Sequence, residues 1–123
     1  MLWKQQETQQ VIDTYSKLEL TLQEQQNTKF FAKLLTNYIP ISEIVMEGLI
    51  HFSIQDWEKQ HPGFKLVQVA MGPDKLKVAL ELQALLSKRL KNLIHDESNW
   101  SKIERAFKKG MEAFSNDKHI SSK

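Results

Sequence analysis

The run from Pro73 to Ile94, PDKLKVALELQALLSKRLKNLI, is the longest apolar stretch in the chain, and the other segments must be able to cover it. Gly72 and Pro73 break what precedes it. Pro73 suits a first helical position, where its missing N–H is not needed, and Asp74 sits at the positive end of the helix dipole. Leu76, Ala79, Leu80, Leu82, Leu86, Leu90, Leu93 and Ile94 recur at helical spacing, and Val78 and Leu85 widen the apolar arc. Only Lys77, Glu81, Lys88 and Lys91, with Ala84 among them, form a polar strip. A helix apolar around most of its circumference is expected at the centre of a bundle. Lys88, Arg89 and Lys91 crowd its last turns, where they complement the negative end of the dipole.

The segments on either side read as helices too. Between Leu2 and Gln26, Val11, Tyr15, Leu18 and Leu22 fall on a heptad-like stripe with Ile12 beside it, so a long amphipathic helix is expected. Asn27 and Thr28 offer a break and an N-cap before KFFAKLLTNYI, which places Phe31, Leu34, Leu35 and Tyr38 on one face and stops at Pro40. Ser42 is the expected cap of a third helix, to Gln60. That helix carries one stripe of Val45, Leu49 and Phe52 and another of Met46, Ile50, Ile54 and Trp57, a pattern that implies burial on two sides. Gly48 lies mid-helix, where close approach of a neighbour would compensate for its low helix propensity. His61-Pro62-Gly63 is a turn.

Phe64 to Met71, FKLVQVAM, is the ambiguous segment. Its valines suit a strand, but a lone strand would need a partner from another molecule, whereas a short helix from Pro62 to Met71, capped by Gly72, needs none. Ser98 is the expected N-cap of the last helix, with Trp100, Ile103, Phe107, Met111 and Phe114 on one stripe. The expected architecture is an all-α, single-domain antiparallel bundle of four to five helices over residues 1–114, with the 73–94 helix central. Residues 115–123 are expected to form a flexible tail.

Function is less constrained than fold. The chain has no cysteine, which excludes disulfides and thiolate metal sites. MLWKQQETQQ lacks a signal-peptide core, and no apolar run approaches the about 20 residues that span a bilayer, so a cytoplasmic protein without membrane partners is expected. Residues 1–61 hold five lysines against eight carboxylates, a balance of −3, and residues 62–123 hold twelve basic side chains against seven carboxylates, a balance of +5. These opposite charges favour packing within one chain or a homodimer.

Glu58-x-x-His61 has the spacing of a di-iron helix motif but occurs once, where such a site needs it twice. Glu47 and His51 read as a solvated i,i+4 pair. No serine sits on a glycine-rich turn and no phosphate loop is present, so neither catalysis nor a cofactor nor a metal is expected. Basic residues gather at Lys88, Arg89 and Lys91 and at Lys102, Arg105, Lys108 and Lys109, which supports weak, electrostatic nucleic-acid binding as the alternative function. Glu104 and Glu112 dilute the second group. The favoured expectation is a non-catalytic interaction protein, such as a small adaptor, assembly chaperone, immunity protein or regulator. It would meet another protein through Trp3, Trp57, Phe64, Leu66 and Val67.

Overall fold

The computed structural model describes residues 3–70, 72–94 and 100–121. Among the described residues six helices make up the bundle: α1 (Gln5–Ser16), α2 (Leu22–Thr36), α3 (Glu43–Gln60), α4 (Leu66–Ala70), α5 (Lys75–Lys91) and α6 (Trp100–Ser121). Among the described residues there is no strand, only an isolated antiparallel bridge between Trp3 and Ile94. In it the Lys4 N–H donates to the Leu93 carbonyl at 2.7 Å. No described helix is long and apolar enough to cross a membrane. The sixth helix, beyond the expected four to five, is α4, a single turn shorter than the helix anticipated from Pro62 to Met71.

The central element is α3 rather than α5. It packs against α1, α2, α4 and α5, and it buries Val45, Met46, Leu49, Ile50 and Trp57 together with Gly48, His51 and Ser53. The two stripes of its sequence are thus both covered. α5 packs against α3, α4 and α6 through Val78, Leu82, Leu86 and Leu90, and leaves its other side to solvent. The main core joins Phe31, Ala32 and Leu35 of α2, the apolar face of α3, Leu86 and Leu90 of α5, and Phe107 of α6. A smaller core of Trp57, Leu66, Val78 and Leu82 lies where α4 closes the space between α3 and α5. Burying each such side chain stabilises the fold by about 1.5–3 kcal/mol.

The break between the first two helices falls at residues 17–21, not at Asn27–Thr28. Thr21 and Glu24 form a capping box: the Glu24 N–H donates to Thr21 Oγ1 and the Thr21 N–H donates to Glu24 Oε1, both at 3.1 Å. The expected breakers are accommodated inside α2 by bonds one turn back. Thr28 Oγ1 donates to the Glu24 carbonyl at 2.7 Å, and Asn27 Oδ1 accepts from Gln23 Nε2 at 3.0 Å. Ser42 is the N-cap of α3, yet its side chain makes no capping hydrogen bond. Ser98 lies outside the described residues. α6 continues to Ser121, past Phe114, through a segment with no glycine or proline to stop it. Gly63 makes the turn before α4 with φ +88°, the left-handed region that favours glycine.

Gly48 and Gly110 let helices approach closely. A Cβ on Gly48 would lie 2.7 Å from Val11 Cγ1 and 3.3 Å from Tyr15 Cβ, and one on Gly110 would lie 2.6 Å from Leu35 Cδ2. Val11 is β-branched and cannot swing aside cheaply. Gly48→Ala therefore incurs an overpacking cost of about 2–3 kcal/mol against about 0.5–1 kcal/mol gained by removing a helical glycine, a net destabilisation of about 1–2.5 kcal/mol. Thr21→Ala should cost about 1 kcal/mol through loss of the capping box. Urea denaturation of both variants checks these values, and an unchanged midpoint for Gly48→Ala would disprove the close contact.

Candidate functional site

The residues expected to meet a partner are placed very differently from one another. Trp57 is 2% exposed: it lies in the smaller core and stacks on His61 with ring centroids 4.0 Å apart. Leu66 is also buried in that core. Both are therefore corrected from surface to interior positions, because α4 folds back over α3 and α5 and uses them itself. Trp3 is half-buried against the main core, and its Nε1–H donates to the Pro40 carbonyl at 3.0 Å, so it pins the segment before α1. Val67 is half-buried, and Phe64 alone of the five is largely exposed.

The clearest apolar surface lies on α5. Leu76 and Leu80 are 67% and 65% exposed and one helical turn apart, and Ala84 continues the line. Lys77, Lys88 and Lys91 are exposed beside them. By periodicity alone both leucines belong to the apolar arc of the helix. They are left out because α5 has neighbours on one side only, and Val78, Leu82, Leu86 and Leu90 fill that side.

Of the other basic residues, Lys102, Arg105, Lys108 and Lys109 are exposed on α6, where Lys108 Nζ lies 3.7 Å from Glu104 Oε1. Arg89 is paired within the bundle. Its Nε and Nη2 donate to Asp56 Oδ2 at 2.9 and 2.6 Å, and its guanidinium lies over the Phe52 ring.

Glu58 and His61, which have the spacing of one half of a di-iron motif, hold the bundle together. Glu58 Oε2 accepts the Leu66 N–H at 3.1 Å, which holds the start of α4 to α3. His61 Nδ1–H donates to the Trp57 carbonyl at 2.8 Å, and its Nε2 lies 3.1 Å from Glu81 Oε2 on α5. Among the described residues no three histidine or carboxylate side chains come together as a metal site.

A second feature is a cleft of about 470 Å³ between α2, α3 and α4. His51 lines it and is 6% exposed, with its Nε2 buried and without a hydrogen-bond partner. Its ring sits between Tyr15 and Phe52, with centroids 5.9 and 5.6 Å away. Glu47, the partner expected for it, instead accepts the Tyr15 hydroxyl at 3.2 Å. Burial, and then the Glu47 carboxylate, push the Tyr15 pKa up to about 12. Burial lowers the pKa of His51, which Glu24 and Glu58 only partly oppose, so the imidazole is neutral near pH 7. The signal available in the sequence was position: His51 falls between the two apolar stripes of a helix covered on several sides.

No protein-family model matches the sequence, and no curated protein or solved structure is similar enough to it to support a comparison.

The neutral state of His51 has a consequence for stability. Its pKa is lower in the folded chain than the ordinary 6.5, so between the two values the unfolded chain binds more protons. Stability contributed by the neutral ring is complete above the unfolded value and is lost as pH falls to the folded one. Thermal midpoints measured from about pH 7.5 to about pH 5 should fall more steeply for the wild type than for His51→Leu. Parallel profiles would show that His51 does not titrate in this way.

Proposed function

We propose that this chain is a non-catalytic interaction protein whose contact surface is the outer face of α5. The observation that carries this reading is the pair Leu76 and Leu80, exposed on a helix whose opposite side is already packed. Leucines left in water one turn apart match the i,i+4 anchors through which a helix meets another helix. Lys77, Lys88 and Lys91 beside them select a partner segment that alternates apolar residues with Asp or Glu.

That charge pattern also favours a different protein over a second copy. A two-fold contact of α5 with α5 would oppose the lysines of one strip to those of the other, and like charges across an interface are unfavourable. The exposed side of α1, with Gln5, Gln6, Glu7, Gln9, Gln10 and Asp13, offers acids but no leucines to meet Leu76 and Leu80. The absence of cysteine suits a reducing compartment such as the cytoplasm. Electrostatic nucleic-acid binding is less well supported, because Arg89 is held by Asp56 and Lys108 lies against Glu104.

Both leucines are exposed, so Leu76→Asp with Leu80→Asp should fold normally, each change shifting stability by about 0.5 kcal/mol or less. Partner capture, followed by photo-crosslinking from position 84 with nuclease present, should fall at least about tenfold in this double variant. Leu22→Asp, an exposed leucine on α2, should leave capture unchanged. A well-folded double variant that still captures its partner would reject the α5 surface, and capture that disappears with nuclease in the wild type would favour the basic helices instead.

A further inference from the structure

We infer that the groove between the C-terminal halves of α3 and α5 is a binding site for a phosphomonoester, whose phosphoryl oxygens are received by Arg89, Lys59 and Lys88. The groove has a volume of about 490 Å³, within the range of small-molecule sites. Asp56 and Lys59 line it from α3, and Leu85, Lys88 and Arg89 from α5. Of the residues assigned above to a protein partner it shares only Lys88, so the two readings stand or fall separately.

Charge is the first indication. The lining holds three cations, Lys59, Lys88 and Arg89, against the single carboxylate of Asp56, which leaves a net positive charge of two. A concave surface of one sign focuses the field and raises the local concentration of anions. Lys59 and Lys88 are exposed, and unlike Lys65 and Lys108 neither has an ion pair among the described residues.

The placing of Arg89 is the second indication. Its Nε and Nη2 both donate to Asp56 Oδ2, at 2.9 and 2.6 Å, and its Cζ lies 5.6 Å from the centre of the Phe52 ring. The guanidinium is thus held but not used up. Asp56 takes the Nε hydrogen and one hydrogen of Nη2, while Nη1 and the other Nη2 hydrogen have no partner among the described residues. The side chain is 37% exposed, so those donors can be reached. A fork already fixed in place loses little freedom on binding and suits the flat, paired contacts that arginine makes with phosphate. Gln60 and Asn92 add side-chain amide donors to the same lining.

A phosphomonoester fits this set better than a carboxylate of similar size. At about pH 7.5 it carries roughly two negative charges and several strong acceptor oxygens, which match the net charge of the lining and donors arriving from two helices. Leu85 is half-buried in the groove and offers apolar surface to the ester's carbon chain. A free phosphorylated small molecule and a phosphorylated side chain present the same group, and the probes separate them.

The probes are butyl phosphate and N-acetyl-phosphoserine amide at about pH 7.5, with sodium butyrate and sodium chloride as controls at equal ionic strength. They are titrated into the isotopically labelled full chain and followed by amide and arginine Nε–H resonances. Saturable shifts should appear with at least one phosphomonoester, concentrated at residues 56–60 and 85–92 and at the Arg89 side chain. The tighter of the two names the source. Sodium butyrate should bind at least about tenfold more weakly. Lys59→Gln with Lys88→Gln changes only exposed, unpaired side chains and should weaken the phosphomonoester at least about tenfold. Lys102→Gln with Lys109→Gln removes the same charge from α6 and should change affinity less than about twofold. Absence of saturation up to about 50 mM, equal affinity for butyrate, or equal losses in the two lysine pairs would each overturn the assignment.

Discussion

The structure depends on burying one helix from several directions. α3 can be covered by α1, α2, α4 and α5 because its apolar residues between Val45 and Trp57 form two stripes, with Glu47, His51 and Gln55 on the remaining side. Ser53 and His51 are its buried polar side chains, and the fold treats them differently. Ser53 Oγ donates to the Leu49 carbonyl at 2.7 Å and so satisfies itself within its own helix. His51 has no such recourse at Nε2. Gly48 supplies the space on which the α1 contact rests: Val11 and Tyr15 sit where a Cβ would be, so the covering helix comes closer than side chains would allow.

Polar contacts then orient what apolar burial holds. Arg89 to Asp56 and His61 to Glu81 both tie α5 to α3 or to the turn after it, and Glu58 receives the first N–H of α4. These contacts are partly exposed, and an exposed ion pair such as Arg89–Asp56 contributes about 0–1 kcal/mol. They fix which way α5 faces more than they fix whether it packs. The Trp57 Nε1–H is left buried and unpartnered beneath the stacked His61 ring, where the burial of so large an aromatic outweighs the lost hydrogen bond.

Helical periodicity was legible in the sequence wherever a segment had one buried face bounded by strong breakers. The limits of α3 and the start of α5 follow from Pro40, Ser42, the His61-Pro62-Gly63 turn, Gly72 and Pro73. The α1–α2 boundary was misplaced because Asn27 and Thr28 look like breakers, whereas their side chains bond one turn back and Thr28 fits into the interior. The Thr21-x-x-Glu24 signature was there to be read, but the apparent stripe continuing through Leu18 to Leu22 concealed it. Which helix lies inside was not legible at all. α3 and α5 are both apolar enough, and the choice is made by how many neighbours reach each, a property of the whole chain. The site residues failed for the same reason: Trp57 and Leu66 are the large apolar residues that α4 needs to close its own small core.

The exposed leucines of α5 and the unpartnered imidazole of His51 are separate features with a common structural neighbour. The cleft draws its lining from α2, α3 and the Lys65–Gln68 segment and takes nothing from α5. α4 touches both, since Val67 lines the cleft while Leu66 packs against Val78 and Leu82 on the inner side of α5. α4 is only five residues long: Leu66 is its one buried side chain, Val67, Val69 and Ala70 pack against the smaller core, and Glu58 accepts its first N–H. Both surfaces therefore adjoin the shortest described helix, whose packing ties the cleft to the inner side of α5.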